Sequence, residues 1–245
     1  MGSVGKIICN WFMEKRDLTM VVNELVYTEV GLERIQEPFQ IIENLASGKN
    51  VLNIGAAGGI FGYLPDKKDV WLHQRLMSLA NKVVGVDIDA EGIEYGISHG
   101  YTILNENCET MNLGERFDLI VMSDVIEHVN APVTAINNLM EHLNDNGVLV
   151  ITTPNGTPAN VFVRSLLRKQ INVFYDHVAV YYPEHFQVIC NRLGFKLDAV
   201  YLFDHISKGS FGLRFKSFLF QIFTLIAPRL ASSMMVIIRK NDGNK

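Results

Sequence analysis

A turn rich in small residues follows the first strongly apolar pattern of the chain. The stretch VLNIGAAGGIFG, residues 51–62, predicts a strand that leads directly into GAAGG, residues 55–59. Small residues let the backbone turn sharply, approach a bound molecule closely and expose amide groups near the start of a helix. The pattern therefore favours a ligand-binding turn. A tight strand-to-helix turn without a ligand stays the alternative, because its composition is the same.

An acidic residue ends the next apolar pattern. VVGVDID, residues 83–89, predicts a strand whose last residue is Asp87. A carboxylate at that place can accept hydrogen bonds from both hydroxyls of a ribose. The glycine-rich turn and the acidic residue at the end of the next strand together predict a nucleoside-bearing cofactor. This cofactor is either a nicotinamide dinucleotide or S-adenosylmethionine. The dinucleotide fingerprint G-x-G-x-x-G does not fit, because Ala57 stands at its second glycine and residue 60 is not glycine.

The composition is that of an ordinary globular protein. The 245 residues are 48% hydrophobic and 20% charged, which predicts a single domain over residues 1–245. A net charge of -4 and a pI near 6.0 argue against nucleic acid as a partner. The three cysteines, Cys9, Cys108 and Cys190, share no metal-ligand spacing, so neither a disulfide framework nor a zinc site is predicted. With no visible targeting signal, these features predict a cytoplasmic protein.

Strand and helix patterns alternate from residue 50 onward. Strands are predicted over 51–54, 83–87, 101–104, 117–122, 148–153, 195–202 and 233–239. Helical patterns lie between most of them, at 69–81, 90–100 and 131–144. This alternation predicts an α/β, Rossmann-like fold in which a mostly parallel sheet carries helices on both faces. Ligands of such sheets bind outside the carboxyl ends of the strands, where the glycine turn and Asp87 would meet.

Three parts are predicted within this domain. Residues 1–49 are expected to form a helical lid or apron, residues 50–155 the cofactor-binding half, and residues 156–245 the acceptor side. The longest apolar stretch, residues 217–228, has 12 residues, whereas a spanning helix needs about 20. Apolar residues from Phe211 to Ile226, four of them aromatic, fall at helical spacing, which leaves core packing, a homodimer contact and a peripheral membrane contact open.

Five blocks in order resemble the class I S-adenosylmethionine-dependent methyltransferases. They are VLNIGAAGG, VVGVDIDAEGI, NENCETMNLGERFDLIVMSDVIEHV, NGVLVITTPNG and YYPEHFQVICNRLGF. Within that superfamily the chain is similar to the branch that contains the ubiquinone-biosynthesis O-methyltransferases and many bacterial methyltransferases of glycan and natural-product pathways. The resemblance implies seven strands, with the last strand antiparallel, and S-adenosylmethionine as the cofactor.

The resemblance also implies which residues hold the methionine end of the cofactor. Gly55, Ala57 and Gly59 would line the methionine portion. Ser123 and Asp124, just after the fourth predicted strand, would accept hydrogen bonds from the ammonium group. A second set of residues would hold the nucleoside end.

At the nucleoside end, the resemblance implies that Asp87 binds the ribose and that Ile88 covers one adenine face. Cys108 and Glu109 would meet the adenine edge through a backbone amide and a carboxylate. Asn53 departs from the family, which usually has an acidic residue there. An amide oxygen accepts a hydrogen bond but brings no charge to the ammonium group, so a weaker affinity for the cofactor is expected.

Several histidines are candidate general bases. If the acceptor is a hydroxyl, its proton must be removed, and an imidazole suits that task at neutral pH. His128 follows the fourth predicted strand, while His177 and His185 lie in the segment that covers the acceptor in the resembled family.

A divalent cation is a further expectation from the resemblance. The ubiquinone O-methyltransferases carry an acid followed by Glu-His at positions that match Asp124, Glu127 and His128, and they bind a divalent cation there. These residue types suit Mg or a similar ion. Helix capping or pairing with neighbours is the alternative role of Glu127 and His128.

The sequence thus predicts a methyltransferase that acts on a small molecule, by O-methylation of a sugar or glycan precursor or of a secondary metabolite. Two alternatives stay open. One is a cofactor- or partner-binding protein without catalysis, and the other is an NAD-dependent oxidoreductase. No feature selects oxygen over nitrogen or carbon as the methylated atom.

Overall fold

The computed structural model describes residues 31–204 and 224–241. Eight strands form one mixed sheet in this part of the chain: β1 (Leu32–Arg34), β2 (Asn50–Ile54), β3 (Lys82–Asp87), β4 (Ile103–Asn105), β5 (Phe117–Ser123), β6 (Leu143–Pro154), β7 (Phe195–Phe203) and β8 (Ser233–Lys240). Their spatial order is β1-β7-β8-β6-β5-β2-β3-β4. Neighbours pair in parallel except for β8, which is antiparallel to both β6 and β7. The predicted Rossmann-like sheet with an antiparallel last strand is confirmed.

Helices connect most of these strands. They are α1 (Pro38–Ala46), α2 (Ile60–Tyr63), α3 (Leu72–Leu79), α4 (Ala90–Ser98), α5 (Pro132–Glu141), α6 (Ala159–Leu166) and α7 (Pro183–Leu193), with short 3₁₀ turns at Lys68–Val70, Ile126–His128 and Pro228–Leu230. The helical pattern predicted at 69–81 is divided between one 3₁₀ turn and α3. Pro38 and Pro132 stand in the first turns of α1 and α5, where a missing amide donor costs nothing.

Alternate side chains of the central strands enter two buried layers on opposite faces of the sheet. Leu52 of β2 packs in the layer that contains Leu139 of α5, whereas its neighbour Val51 packs in the layer that contains Ile42 of α1. Because a strand has a period of two, a strand covered on both faces needs apolar residues at consecutive positions. Burial of each such side chain stabilises the fold by about 1.5–3 kcal/mol.

One strand lies inside the segment predicted to be helical. Leu32–Arg34 form β1, which pairs in parallel with β7 and raises the strand count from the predicted seven to eight. Arg34 continues this contact through an ion pair with Asp204, at 3.3 Å. Three residues are too few to show a period, so only the edge of the neighbouring strand decides their conformation. Residues 1–30 of the predicted apron lie outside the described residues.

The predicted aromatic helix from Phe211 to Ile226 also lies mostly outside the described residues. Only its last three positions, 224–226, are described, and they are helical. Among the helices in the described part of the chain, none has both the length and the apolar character needed to cross a bilayer.

Candidate functional site

A cleft opens at the carboxyl ends of β2 and β3, beside the 3₁₀ turn Ile126–His128. Six residues assigned from the sequence line it: Gly55, Asp87, Ile88, Cys108, Glu109 and His128. Sequence analysis missed other lining residues, namely Ile54, Val86, Glu106, Asn107, Val125, Val129 and Asn130. Each of these lining residues lies within two positions of a site residue that was predicted from the sequence. Their closeness to those residues in the chain could have predicted them. The other assigned residues do not line this cleft.

Gly55 forms the floor of the turn after β2. Its φ is +75°, in the left-handed region that favours glycine. A Cβ atom at this position would collide with Cγ2 of Val125, which follows β5. The turns after β2 and β5 therefore meet with no room for a side chain at Gly55. Ala57 is not among the residues with positive φ, so its replacement of the usual glycine costs no backbone strain.

Asp87 organises the backbone around the cleft. Its Oδ2 accepts a hydrogen bond from the amide of Ala57 at 2.8 Å, which ties the glycine turn to the end of β3. Its Oδ1 accepts hydrogen bonds from the amides of Ile88 at 2.8 Å and Asp89 at 3.0 Å. A carboxylate has about four lone-pair sites. The half-buried side chain therefore keeps acceptor capacity for a ligand hydroxyl.

Asn53 is fully enclosed beneath the turn and contacts a buried histidine. Its Nδ2 donates to Nδ1 of His73 at 3.1 Å, and only 2% of His73 is exposed. Burial lowers the pKa of His73 from 6.5 to about 4, so the ring is neutral at physiological pH. A neutral Nδ1 can accept the amide hydrogen, whereas an imidazolium cannot. The uncharged Asn53 thus has a matching uncharged partner that sequence analysis did not assign.

Protonation of His73 is expected to destabilise the fold. The folded-state pKa lies below the unfolded value, so the stabilisation is complete above about pH 6.5 and is lost as the pH falls towards 4. The full loss is about 3 kcal/mol in the free energy of unfolding, from about 1.4 kcal/mol per pKa unit. Urea denaturation of the wild type and of His73→Gln at pH 7 and pH 4 measures it. The wild type should lose about 3 kcal/mol more than the variant, because other titrating groups cancel in the comparison, and equal losses would contradict this assignment.

Cys108 and Glu109 also line the cleft. Burial, and then the charge of Glu109, raise the pKa of the Cys108 thiol to about 11, so it stays protonated and inert. Oε1 of Glu109 accepts the amide of Asn130 at 3.1 Å, which joins the loop after β4 to the start of α5. Ile88, another lining residue, is 70% exposed. An apolar side chain so open to solvent is available to cover an aromatic ring.

Ser123 and Asp124 form a hydrogen-bonded chain at the ends of β5 and β6. The Ser123 hydroxyl bonds to that of Thr152 at 2.8 Å, and the Thr152 hydroxyl donates to Oδ1 of Asp124 at 3.3 Å. Asp124 has a φ of +51° although it is not glycine. Strained residues of this kind concentrate at functional sites, since the surroundings must hold them in place.

His128 is fixed by the segment that follows α6. Its Nδ1 lies 3.1 Å from Oδ2 of Asp176 and 3.2 Å from the Asp176 carbonyl oxygen. Both partners are acceptors, so Nδ1 carries a proton, and in the neutral form of the ring Nε2 then has the free lone pair. The ring of His177 packs edge-on against His128, at 4.7 Å between centroids. The described residues thus bring two of the three candidate bases, His128 and His177, into contact beside the cleft.

Glu127 is buried behind the two histidines. Only 1% of it is exposed, and its Oε2 accepts the Thr153 hydroxyl at 3.0 Å. Burial, assisted by the charge of Asp124, raises the pKa of Glu127 to about 7. Its Oε1 lies 4.0 Å from Nε2 of His177, whose pKa is lowered first by burial and then by His128.

Glu127, His128 and His177 each offer a ligand atom within 4.8 Å of the others. Among the described residues Asp124 does not belong to this group, so the geometry differs from the metal set expected from the resemblance. His185 has a structural role: its Nδ1 accepts the amide of Tyr182 at 3.2 Å and completes the cap of α7.

Comparison with known proteins identifies the family. A model described as a methyltransferase domain matches residues 31–200. This chain belongs to the methyltransferase-domain family. One relative of this chain is the mitochondrial ubiquinone biosynthesis O-methyltransferase of Schizosaccharomyces pombe. The two sequences are 31% identical over 123 residues, which cover 46% of this chain and 41% of that protein. The chain spans about half the length of the curated relatives it matches.

Solved structures share the fold of the methyltransferase domain. A Clostridium acetobutylicum S-adenosylmethionine-dependent methyltransferase is 11% identical, with a TM-score of 0.52 over 95% of this chain and 99% of its own. The plantazolicin methyltransferase BamL, solved with S-adenosylhomocysteine, is 17% identical, with a TM-score of 0.50 over 83% of this chain and 84% of its own. The expected class I methyltransferase fold is confirmed, and the family is not that of the nicotinamide-dependent oxidoreductases.

Proposed function

We propose that this chain transfers the methyl group of S-adenosylmethionine to a hydroxyl group of a small molecule. One observation carries the proposal. A single cleft brings together the turn at Gly55, the carboxylate of Asp87 and the imidazole of His128. These are the groups needed to approach a cofactor closely, to bind its ribose and to accept a proton from an acceptor. Family membership supports the cofactor.

Residues around the cleft would meet the parts of the cofactor in the order that the resemblance implies. The remaining lone pairs of Asp87 would accept the ribose hydroxyls, and the exposed Ile88 would cover the adenine. Cys108 and Glu109 would border the adenine edge. Gly55, Ala57 and Gly59 would then lie near the methionine portion.

The ammonium group would meet the carboxylate of Asp124 in addition to the amide oxygen of Asn53. The amide nitrogen of Asn53 donates to His73, and its side chain carries no charge. Asp124, with Ser123 beside it, offers the negative charge at the ends of β5 and β6. A charge-assisted hydrogen bond of this kind is about twice as strong as a neutral one, so Asp124 would compensate for the missing acid of β2.

The cofactor supplies an electrophilic methyl group on a sulfonium. His128 would hold the acceptor hydroxyl through Nε2 and take its proton as the oxygen–methyl bond forms and the methyl–sulfur bond breaks. Asp176 is a positioning residue, since it fixes the proton on Nδ1 and stabilises the imidazolium that results. The products are a methyl ether and S-adenosylhomocysteine. His177 is the second candidate base, and it packs directly against His128.

The residues do not fit the magnesium site expected from the resemblance. Mg²⁺ prefers oxygen ligands, whereas the group of described residues offers two imidazoles and one buried carboxylate. Asp124 lies outside that group and accepts the Thr152 hydroxyl instead. The proposed methyl transfer therefore uses no metal, and turnover is expected to survive treatment with EDTA.

For the methyl acceptor we propose a chemical class, a small molecule with a hydroxyl group. The S. pombe relative is an O-methyltransferase of ubiquinone biosynthesis, so the methylated atom in that protein is an oxygen. We extend this to a hydroxyl of a small molecule here, with a sugar or glycan precursor or a secondary metabolite as the candidates. A cytoplasmic location and the absence of a nucleic-acid partner belong to the same proposal.

Cofactor binding is tested by isothermal titration of the chain with S-adenosylhomocysteine, beside NAD. Asp87→Ala should weaken S-adenosylhomocysteine binding by about 1–3 kcal/mol, or about 5- to 150-fold, through lost ribose hydrogen bonds. Asp89→Ala removes an exposed carboxylate two residues away and serves as the matched control, with an unchanged Kd. An unchanged Kd for Asp87→Ala would reject the site, and binding without turnover of any hydroxyl acceptor would favour the non-catalytic alternative.

A further inference from the structure

We propose that helix α6 and the segment after it, residues 159–180, form a docking surface for an anionic lipid bilayer, from which an apolar acceptor enters the cleft. Only the clause about the acceptor rests on the proposed function. The exposure, continuity and charge of these residues support the surface itself.

Apolar side chains are exposed along the whole of this surface. Ten large hydrophobic residues between positions 162 and 180 are exposed, among them Leu166 at 73% and Tyr175 at 90%. Single exposed apolar residues are ordinary on a protein surface, whereas a contiguous set marks a contact with a partner or a membrane. In α6 itself only Ala159 is buried, so packing on the core does not explain the apolar character of this helix.

Two sets of contacts make the surface continuous and bring it to the cleft. Arg164 of α6 donates to the Gln170 carbonyl at 2.6 Å and to Oδ1 of Asn172 at 3.0 Å, which folds the following loop back against the helix. At the other end, the amide of Val178 donates to the Glu127 carbonyl at 2.9 Å. Asp176 holds His128, as described above. The surface thus ends at the proposed base.

Charge decides which partner fits. The chain has a net charge of -4, yet residues 159–180 contain Arg164, Arg168 and Lys169 against one acid, Asp176, which contacts His128. Exposed apolar and aromatic groups interspersed with cations are typical of surfaces that lie in the headgroup region of anionic bilayers. A second copy of the chain would bring these cations together, which disfavours a symmetric dimer through this surface.

Co-sedimentation of the full chain with vesicles tests the proposal. The chain should bind vesicles of phosphatidylcholine mixed with phosphatidylglycerol more tightly than pure phosphatidylcholine vesicles. Leu166→Ser with Tyr175→Ser, and separately Arg168→Gln with Lys169→Gln, should each weaken binding to the mixed vesicles by at least about tenfold. Val70→Ser with Ile97→Ser removes exposed apolar groups elsewhere, at 56% and 58% exposure, and should leave vesicle binding unchanged.

Two results would overturn the docking surface. One is equal binding by the wild type and both surface variants. The other is a concentration-dependent dimer in sedimentation velocity that Leu166→Ser with Tyr175→Ser abolishes, because the surface would then belong to a second copy. Titration of the same variants with S-adenosylhomocysteine separates this test from the proposed function. Intact cofactor binding with lost vesicle binding supports the docking surface, whereas absent cofactor binding in the wild type affects only the proposed function.

Discussion

Gly55→Ala is expected to weaken S-adenosylhomocysteine binding more than any other single change in the turn after β2. The new Cβ meets two penalties, a left-handed backbone angle and a collision with Cγ2 of Val125. The first costs about 1–2 kcal/mol, and overpacking adds about 1–3 kcal/mol. The total penalty of about 2–5 kcal/mol should be divided between a lower free energy of unfolding and a weaker affinity for S-adenosylhomocysteine. Calorimetric titration and urea denaturation of the same sample measure the two parts.

The chain provides matched controls for this substitution. Gly100 also has a positive φ, +85°, but a Cβ there meets only open space. Gly100→Ala should therefore cost about 1 kcal/mol in the free energy of unfolding, with an unchanged Kd for S-adenosylhomocysteine. Adding Val125→Ala to Gly55→Ala removes the collision and should restore part of the affinity. Wild-type affinity in Gly55→Ala alone would contradict the close approach of the two turns.

His128→Ala is expected to lower turnover about 10²- to 10⁴-fold, the usual contribution of a positioned general base. Its Kd for S-adenosylhomocysteine should stay close to that of the wild type, because the proposed contact is with the acceptor. Asp176→Asn should lower turnover less, since an amide oxygen can still accept from Nδ1 but supplies no charge to an imidazolium. A hydroxyl acceptor found by screening catechols, sugars and other alcohols is needed for this measurement of kcat.

His177→Ala and a metal chelator separate the remaining interpretations of His128. If His128 is the base, its replacement should lower kcat more than the replacement of His177 does. A larger loss of kcat in His177→Ala than in His128→Ala would assign the base to His177. Loss of turnover in EDTA that Zn²⁺ or Mn²⁺ restores would mean that Glu127, His128 and His177 hold a transition metal instead.

The sequence by itself determined the sheet, the position of the cleft and half of its lining. Strands buried on both faces have near-continuous apolar runs, and this signal is local, so the bounds of β2 to β8 were predicted within two residues, with one exception. The prediction for β6 was wrong at its start, because β6 begins at Leu143, five residues before the predicted strand and inside the predicted helix 131–144. Gly55 and Asp87 were found for a similar reason. A glycine at a strand end and an acid at the end of the next strand act through their positions in the fold, and those positions follow from the order of the strands.

Tertiary structure alone decided β1, the partner of Asn53 and the contacts of the two histidines. The strand Leu32–Arg34 exists because an edge of β7 is available to pair with it, and three residues carry no period of their own. Asn53 meets His73 across 20 positions, and Asp176 meets His128 across 48. Contacts between side chains so far apart in the chain produce no local sequence pattern from which they could be predicted. Their hydrogen bonds and pKa values depend on burial, which is created only when the helices pack on the sheet.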